Sequence, residues 1–137
     1  MTLFVDTSVW YAAADSADPR NARAREVLSA GERLVTTDHV LIECWTLLHH
    51  RIHRAAAETF WDGVRSGIAW IECVGSADLH AASAIGRAFP HQGFSLADRT
   101  SFAVMERLGV LRAATFDNDF AIYRFGPRLS RAFQVVR

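Results

Sequence analysis

The sequence predicts an α/β fold, in which a mostly parallel sheet is sandwiched between helices within a single domain of residues 1–137. Short apolar segments, of which Leu3–Val5 is the first, alternate along the chain with longer segments of helical periodicity. The 137 residues are 50% hydrophobic and carry no net formal charge, which is typical of one globular domain and unlike a disordered chain. No apolar run approaches the roughly 18–20 residues of a membrane span, and a signal peptide's basic region and cleavage site are missing. We therefore expect a cytoplasmic protein without a membrane segment.

The element boundaries follow from start and stop signals. Pro19 suits a helix start, whereas Gly31, Gly67 and Gly109 suit helix ends. The run IAWIECV is apolar and β-branched, which predicts a strand. In chain order we predict a strand at 2–6, helices at 7–14 and 20–30, a short strand at 34–35, helices from 37 or 38 to about 50 and from 54 to 66, a strand at 68–74, a helix from 76 or 78 to about 89, a loop at 90–94, a helix at 95–108, a strand at 110–115, a turn and short helix at 116–123, and a last strand at 132–136.

Two carboxylates follow predicted strands directly. Asp6 ends the first strand, and Asp117 lies just past the strand at 110–115. Each has a local explanation, because Asp favours helix N-caps and turns. However, ligands of parallel α/β sheets bind beyond the carboxyl ends of the strands, so both acids are expected at the same edge.

Two further carboxylates lie on predicted helices. Glu43 borders the apolar stripe of its helix, so it is expected at the rim of a buried surface; a side chain that reaches past this boundary to water is the alternative. Asp98 has the S-x-x-D spacing of a capping box with Ser95, yet it shares a helix face with the apolar Phe102 and Met105. We expect Asp98 to face inward at the first turn of its helix, where the helix dipole favours anions.

Four converging carboxylates require a counterion. Two carboxylates about 4 Å apart repel by about 1–4 kcal/mol at effective dielectric constants of 80 to 20. A hard divalent cation, Mg²⁺ or Mn²⁺, prefers oxygen ligands and removes this repulsion. Such a site acidifies water, orients a phosphate and neutralises the leaving oxygen, which is the chemistry of phosphodiester hydrolysis.

The motifs VDTSVWYAA, FSLADRTSFAVMERLG and ATFDNDF, in this order and with the inward Glu43 between the first two, resemble the PIN domain. The short chain is similar, more narrowly, to the VapC-type toxin ribonucleases of bacterial toxin–antitoxin pairs. The resemblance implies a five-stranded parallel sheet and Mg²⁺-dependent endonucleolytic cleavage of RNA. It also implies that a cognate antitoxin inserts a segment into the pocket and that the toxin forms a homodimer.

The resemblance assigns roles to individual residues. It implies an acidic catalytic pocket made of Asp6, Glu43, Asp98 and Asp117, in which Asp6, Asp98 and Asp117 bind the metal. It also implies an outer role for Asp119. Three residues match positions at which family members place supporting hydroxyl groups: Ser8, Ser95 and Thr115.

Other features have less specific interpretations. All 15 basic residues are Arg, which suits phosphate contacts. Six of them could meet RNA or could be solvated surface charges: Arg20, Arg23, Arg25, Arg124, Arg128 and Arg131. His49 and His53 have the i, i+4 spacing of a zinc pair but lack the Glu of H-E-x-x-H, so we expect surface histidines. Cys44 and Cys73 are expected to be buried free thiols.

Two alternatives to the nuclease are a catalytically silent PIN-fold binding module and another acidic-pocket α/β protein of phosphoryl transfer. The presence of all four acids argues against the first. The second, a receiver domain or a haloacid-type phosphatase, would resemble families that use a pocket lysine, and this chain has no lysine. The phosphatase would also place a second acid where Ser8 stands.

Overall fold

The computed structural model describes all residues from Met1 to Arg137 and has one five-stranded sheet with helices around it. The strands are β1 (Thr2–Val5), β2 (Arg33–Thr37), β3 (Trp70–Glu72), β4 (Arg112–Ala114) and β5 (Gln134–Val136), and the helices are α1 (Thr7–Ala14), α2 (Asn21–Leu28), α3 (Asp38–Arg51), α4 (Arg54–Gly63), α5 (Ser76–Ala88), α6 (Leu96–Leu108) and α7 (Asp119–Ile122). None of these helices combines the length and the apolar character that a membrane crossing needs.

All strand pairs are parallel, in the order β3-β2-β1-β4-β5. Strand β1 is the central strand, and the side chains of Leu3, Phe4 and Val5 are fully buried. This explains their continuous apolar run, because a central parallel strand is covered on both faces. Helix α1 packs against α2 and α3, and α5 packs against α6.

The strand order reverses direction at β1. The chain proceeds from β1 to β2 and β3 on one side and then returns to β4 and β5 on the other. A crevice forms at such a switch point, outside the carboxyl ends of the two strands that flank it. Here these strands are β1, which Asp6 follows, and β4, which Thr115 follows.

Several predicted boundaries differ from the structure. The strand predicted at 68–74 is only Trp70–Glu72, because a turn of π-helix occupies Val64–Ile68 and Gly67 turns the chain with φ of 107°. The predicted helix at 20–30 is Asn21–Leu28, since Asp18 forms a turn by accepting a hydrogen bond from the Arg20 N–H. The strand predicted at 34–35 is longer, and those at 110–115 and 132–136 are shorter.

The two thiols differ in exposure. Cys44 is buried in the core, as predicted, but Cys73 is exposed, so the prediction of burial was wrong for this residue. Strand β3 ends at Glu72, one residue before Cys73, and lies at the edge of the sheet, where one side has no neighbouring strand.

Candidate active site

A cleft of about 430 Å³ opens at the switch point between β1 and β4. Its walls come from the residues after β1, from α3, from the start of α6 and from the segment after β4. The four acids predicted from the sequence line this cleft, together with a fifth: Asp6, Glu43, Asp98, Asp117 and Asp119.

Asp6 is held by two hydroxyl groups. Its Oδ2 accepts hydrogen bonds from Thr115 Oγ1 at 2.9 Å and from Ser8 Oγ at 3.1 Å. Both hydroxyls also accept a backbone N–H from the segment after β4: Ser8 Oγ from Phe116 at 2.9 Å and Thr115 Oγ1 from Asp117 at 3.0 Å. These hydrogen bonds hold Oδ2 from two sides and fix the orientation of the carboxylate, while Oδ1 accepts no side-chain hydrogen bond.

Asp6 occupies the N-cap position of α1, as the local explanation predicts, but its side chain makes no capping hydrogen bond to the helix. The carboxyl group is instead buried, with only 6% of the residue exposed. Burial raises the pKa of Asp6 to about 6; the hydrogen bonds from Thr115, Thr7 and Ser8 oppose this rise, and the nearby charge of Asp117 adds to it.

Asp98 is buried at the first turn of α6, with 7% of the residue exposed. The capping box is present: Asp98 N donates to Ser95 Oγ at 3.0 Å, and Ser95 N donates to Asp98 Oδ2 at 3.2 Å. The pKa of Asp98 is raised to about 8, mainly by burial and also by a hydrogen bond with Asp119 and the charges of Asp6 and Asp117, while the Ser95 N–H opposes the rise. The same side chain thus caps a helix and faces a cluster of acids.

Asp117 and Asp119 lie in the turn between β4 and α7. Asp117 Oδ1 accepts the N–H of Asp119 at 2.9 Å, so the turn interpretation also holds. One carboxylate oxygen from each of Asp98, Asp117 and Asp119 lies within 4.8 Å of the others. Asp119, which the sequence suggested only for an outer role, therefore belongs to the same cluster of oxygens as Asp98 and Asp117.

Glu43 reaches the cleft from the middle of α3 and is half-buried. It takes part in none of the side-chain hydrogen bonds or ion pairs that hold the other acids. Its carboxylate is thus free to contact a molecule in the cleft.

The donor set of the cleft fits a hard divalent cation. All of its acidic ligands are oxygen atoms, and no Cys or His side chain lines it. The pKa of Asp98 is raised to about 8 first by burial and then by the neighbouring carboxylates, and a cation would offset both effects by stabilising the ionised form.

Known proteins resemble this chain over most of its length. The family model described as the PIN domain matches residues 3–126. The chain belongs to the PIN-domain family. VapC20 of Mycobacterium tuberculosis H37Rv, described as a 23S rRNA-specific endonuclease, is 38% identical over 128 residues, which are 90% of this chain and 95% of the relative.

Two solved structures show the same PIN fold. The crystal structure of Mycobacterium tuberculosis VapC20, described as a toxin that cleaves the sarcin–ricin loop, matches with a TM-score of 0.84 and 34% identity over 90% of this chain and 96% of that one. VapBC2 from Rickettsia felis, bound to a DNA fragment from its promoter, matches with a TM-score of 0.70 and 11% identity over the whole of both chains, and this likeness shows the fold alone. The predictions of a VapC-type PIN domain, of its α/β fold and of a nuclease-class enzyme are confirmed.

Two arginines of this PIN domain line the acidic cleft. Arg20, one of the six suggested by the sequence, lies over the Phe116 ring at 4.6 Å and pairs with Asp18. Arg51 lies over the Tyr11 ring at 5.3 Å. Arg51 was not among the arginines that the sequence suggested for RNA contact; its place at the end of α3, two turns after Glu43, was the available signal.

The remaining predicted arginines lie elsewhere in the PIN domain. Arg23 pairs with Glu26, Arg25 lines a separate apolar groove, and Arg124 donates to backbone carbonyls of its own turn. Arg131 lies over the Phe125 ring, and Arg128 is exposed in a turn of 3₁₀-helix at Pro127–Leu129.

His49 and His53 are exposed, as expected, and each also makes a local contact. His49 stacks on Trp45 with ring centroids 5.0 Å apart. His53 caps α4, since its Nδ1 accepts the Ala56 N–H at 3.1 Å.

Proposed function

We propose that this protein is a VapC-type toxin that cleaves RNA endonucleolytically with a divalent metal ion, Mg²⁺ or Mn²⁺. The observation that carries the proposal is the convergence of five carboxylates, from four separate segments of the chain, in one cleft at the switch point of a PIN domain. We propose Asp6, Glu43, Asp98 and Asp117 as the catalytic residues.

We propose that Asp6, Asp98 and Asp117 hold the ion, with Asp119 beside them. The closeness of the oxygens of Asp98, Asp117 and Asp119 supports the assignment for Asp98 and Asp117, and the charge of Asp6, which acts on Asp98, supports the inclusion of Asp6. When bound, such an ion neutralises charge on the phosphate and lowers the pKa of water.

The protein groups supply position and proton transfer. Asp6 is oriented by Ser8 and Thr115, so its carboxylate needs no rearrangement when substrate arrives. Glu43, which is free of protein partners, is placed to orient the attacking water and accept its proton. Arg20 and Arg51 stand at the cleft without pairing to its acids, and we propose that they contact the phosphates next to the cleaved bond.

We propose a structured ribosomal RNA, the sarcin–ricin loop of 23S rRNA, as the substrate. The name and title of VapC20, which shares 38% of its residues with this chain over 128 positions, support the choice. An exposed RNA loop presents phosphates and unpaired bases to a shallow cleft, whereas the deep major groove of an RNA duplex does not.

We propose a cognate antitoxin as the protein partner. An apolar groove of about 650 Å³ lies on the other side of α1 from the acidic cleft, between α1, α2 and α4. Apolar hollows of this kind mark interaction sites. An apolar antitoxin segment in this groove would stand next to the cleft, because Trp10 lines the groove and Tyr11 lines the cleft. Ile68→Asp, which adds a charge to the groove, should lower the fraction of toxin that copurifies with co-expressed antitoxin.

A homodimer remains a prediction. Ile42, Trp45 and Trp61 form a partly exposed apolar surface on α3 and α4 that a second copy could cover. Sedimentation of the protein alone, with and without Ile42→Glu, tests this arrangement.

Cleavage of a sarcin–ricin hairpin RNA tests the proposed function. The wild-type protein should cut it in Mg²⁺ or Mn²⁺ and lose activity in EDTA, whereas Asp6→Asn should not cut. The exposed Asp62→Asn, on the far end of α4, is the matched control and should retain activity. Equal cleavage by the wild-type protein and Asp6→Asn would refute the catalytic proposal, and no cleavage of any RNA would favour the silent binding module.

A further inference from the structure

A second polar hollow, of about 420 Å³, lies on the opposite side of the α5–α6 loop from the acidic cleft. We call it the arginine pocket, and it is lined by Ser83, Arg87, Gln92 and Arg99 with apolar neighbours. Its charged lining residues are both arginines, so it suits an anion and not a cation. Successive residues of this loop point to the two hollows in turn. Gln92 and Phe94 line the arginine pocket, while residues 93 and 95 line the acidic cleft, so the two hollows are neighbours on either side of the loop.

Arg99 has unused hydrogen-bonding capacity in this pocket. Its Nε is buried and has no hydrogen-bond partner, and its Nη1 makes only a long contact of 3.4 Å with the carbonyl oxygen of Ala82. Neither Arg99 nor Arg87 belongs to any of the ion pairs of the protein. The Arg99 guanidinium thus has donors without a protein acceptor, and an anion in the pocket would supply acceptors to those of its N–H groups that face the pocket.

Gly86 makes room for the Arg99 guanidinium. A Cβ atom at position 86 would overlap Nη1 of Arg99 and lie 3.0 Å from its Cζ. Gly86 lies inside α5, where glycine is less favourable than alanine for helix formation. The absence of a side chain thus lets the Arg99 fork lie against α5.

We propose that the arginine pocket binds a phosphate group of the RNA backbone, several nucleotides along the strand from the bond that the acidic cleft holds. This rests on the proposed function in one respect, that the ligand is RNA. Arg99 and Arg87 supply forked donors for the phosphate oxygens, and Ser83 and Gln92 supply further donors. Such a contact fixes the register of the strand over the α5–α6 loop and carries no sequence information itself.

Binding of a fluorescent sarcin–ricin hairpin tests the proposal, with every variant made in an Asp6→Asn background so that cleavage does not interfere. Arg99→Gln should weaken binding roughly tenfold or more. It should also reduce the slope of log K against log salt concentration by about 0.7–0.9. Gly86→Ala should reproduce both effects without a change of charge. Arg33→Gln is the control. Arg33 is the exposed first residue of β2, at the end of the strands away from the acidic cleft, and its substitution should change neither quantity beyond about twofold.

A scan of the hairpin with single neutral methylphosphonate linkages then locates the contact. One position should weaken binding to the Asp6→Asn protein but not to its Arg99→Gln derivative. The proposal is overturned if Arg99→Gln and Gly86→Ala bind like Arg33→Gln, or if they lose melting temperature and no RNA affinity, or if they lose only antitoxin binding. Failure of the proposed function has a different signature, since the protein with Asp6 restored would then bind RNA without cleaving it.

Discussion

Replacing Asp98 by Asn should stabilise the metal-free protein at alkaline pH. The Asp98 carboxyl has a pKa of about 8 in the folded protein, against 3.8 for an unperturbed Asp, because it is buried among other acids. The folded state therefore binds more protons than the unfolded state between these values, and its stability falls as the pH rises from about 4 to about 8. The amide of Asn is neutral at all of these pH values and can still accept the Ser95 N–H of the capping box.

The magnitude follows from the two pKa values. Each unit of difference is worth about 1.4 kcal/mol, so four units set an upper limit of about 6 kcal/mol on the gain at pH 8 or above. We expect Asp98→Asn to gain about 2–5 kcal/mol at pH 8.5 in EDTA, or roughly 6–15 °C in melting temperature, and no more than about 1 kcal/mol at pH 4.5. Asp6, with a pKa of about 6, contributes to the same fall in folding stability, and its contribution is lost as the pH rises from about 4 to about 6.

Urea unfolding in EDTA at pH 4.5 and 8.5 measures the effect. Asp98→Ala is the control, because it also removes the charge but loses the capping hydrogen bond, and should gain about 1 kcal/mol less. Addition of millimolar Mg²⁺ or Mn²⁺ at pH 7.5 should raise the melting temperature of the wild-type protein and raise that of Asp98→Asn by less. A wild-type stability that is flat from pH 4.5 to 8.5, or an Asp98→Asn variant without a gain at pH 8.5, would refute the reasoning.

Three other substitutions have separate expected outcomes. Thr115→Val removes the 2.9 Å hydrogen bond to Asp6, so it should slow hairpin cleavage at least tenfold and cost about 1–3 kcal/mol of stability. Single-turnover kinetics and urea unfolding measure the two effects, and unchanged kinetics would contradict the orienting role of Thr115. Arg51→Gln should raise KM for the hairpin more than it lowers kcat, as a ground-state phosphate contact predicts, and Tyr11→Leu, which removes the ring under Arg51, should act in the same direction but less. Asp78→Asn breaks the two-bonded pair with Arg107 and should cost about 1–3 kcal/mol near pH 7 without changing cleavage per folded molecule; because this partner lowers the pKa of Asp78, the cost should vanish in acid.

The fold and the acids of the cleft were predictable because they depend on local patterns. Apolar runs alternating with helical periodicity indicated a parallel sheet, and the carboxyl end of such a sheet collects whatever polar residues follow its strands. Asp6 and Asp117 could be placed in this way, and the inward face of α6 located Asp98. Arg51 could have been placed by its spacing of two turns from Glu43 on α3, but the closeness of Asp119 to Asp98 was not predictable, since it depends on how the turn after β4 rotates against the cleft. The same holds for the exposed Cys73, because no local pattern shows that β3 is an edge strand that ends at Glu72.

An acid can cap a helix or close a turn and still belong to the cluster of acids in the cleft, as the structure shows. Asp98 caps α6 through Oδ2, and Asp117 closes a turn through Oδ1, so in each case a backbone N–H holds the carboxylate in place. These bonds stabilise the ionised forms and offset part of the repulsion between the acids. They also restrict the rotation of the side chains, so less conformational entropy is lost when a cation or a phosphate binds. Asp6 stands at the N-cap position of α1 but makes no capping hydrogen bond with its side chain, and the hydroxyls of Ser8 and Thr115 hold its carboxylate instead. Strand ends and the first turn of a helix are therefore favourable positions for acids that lie close together. The backbone N–H groups there are free to hold a carboxylate, whereas those of a helix interior are already paired.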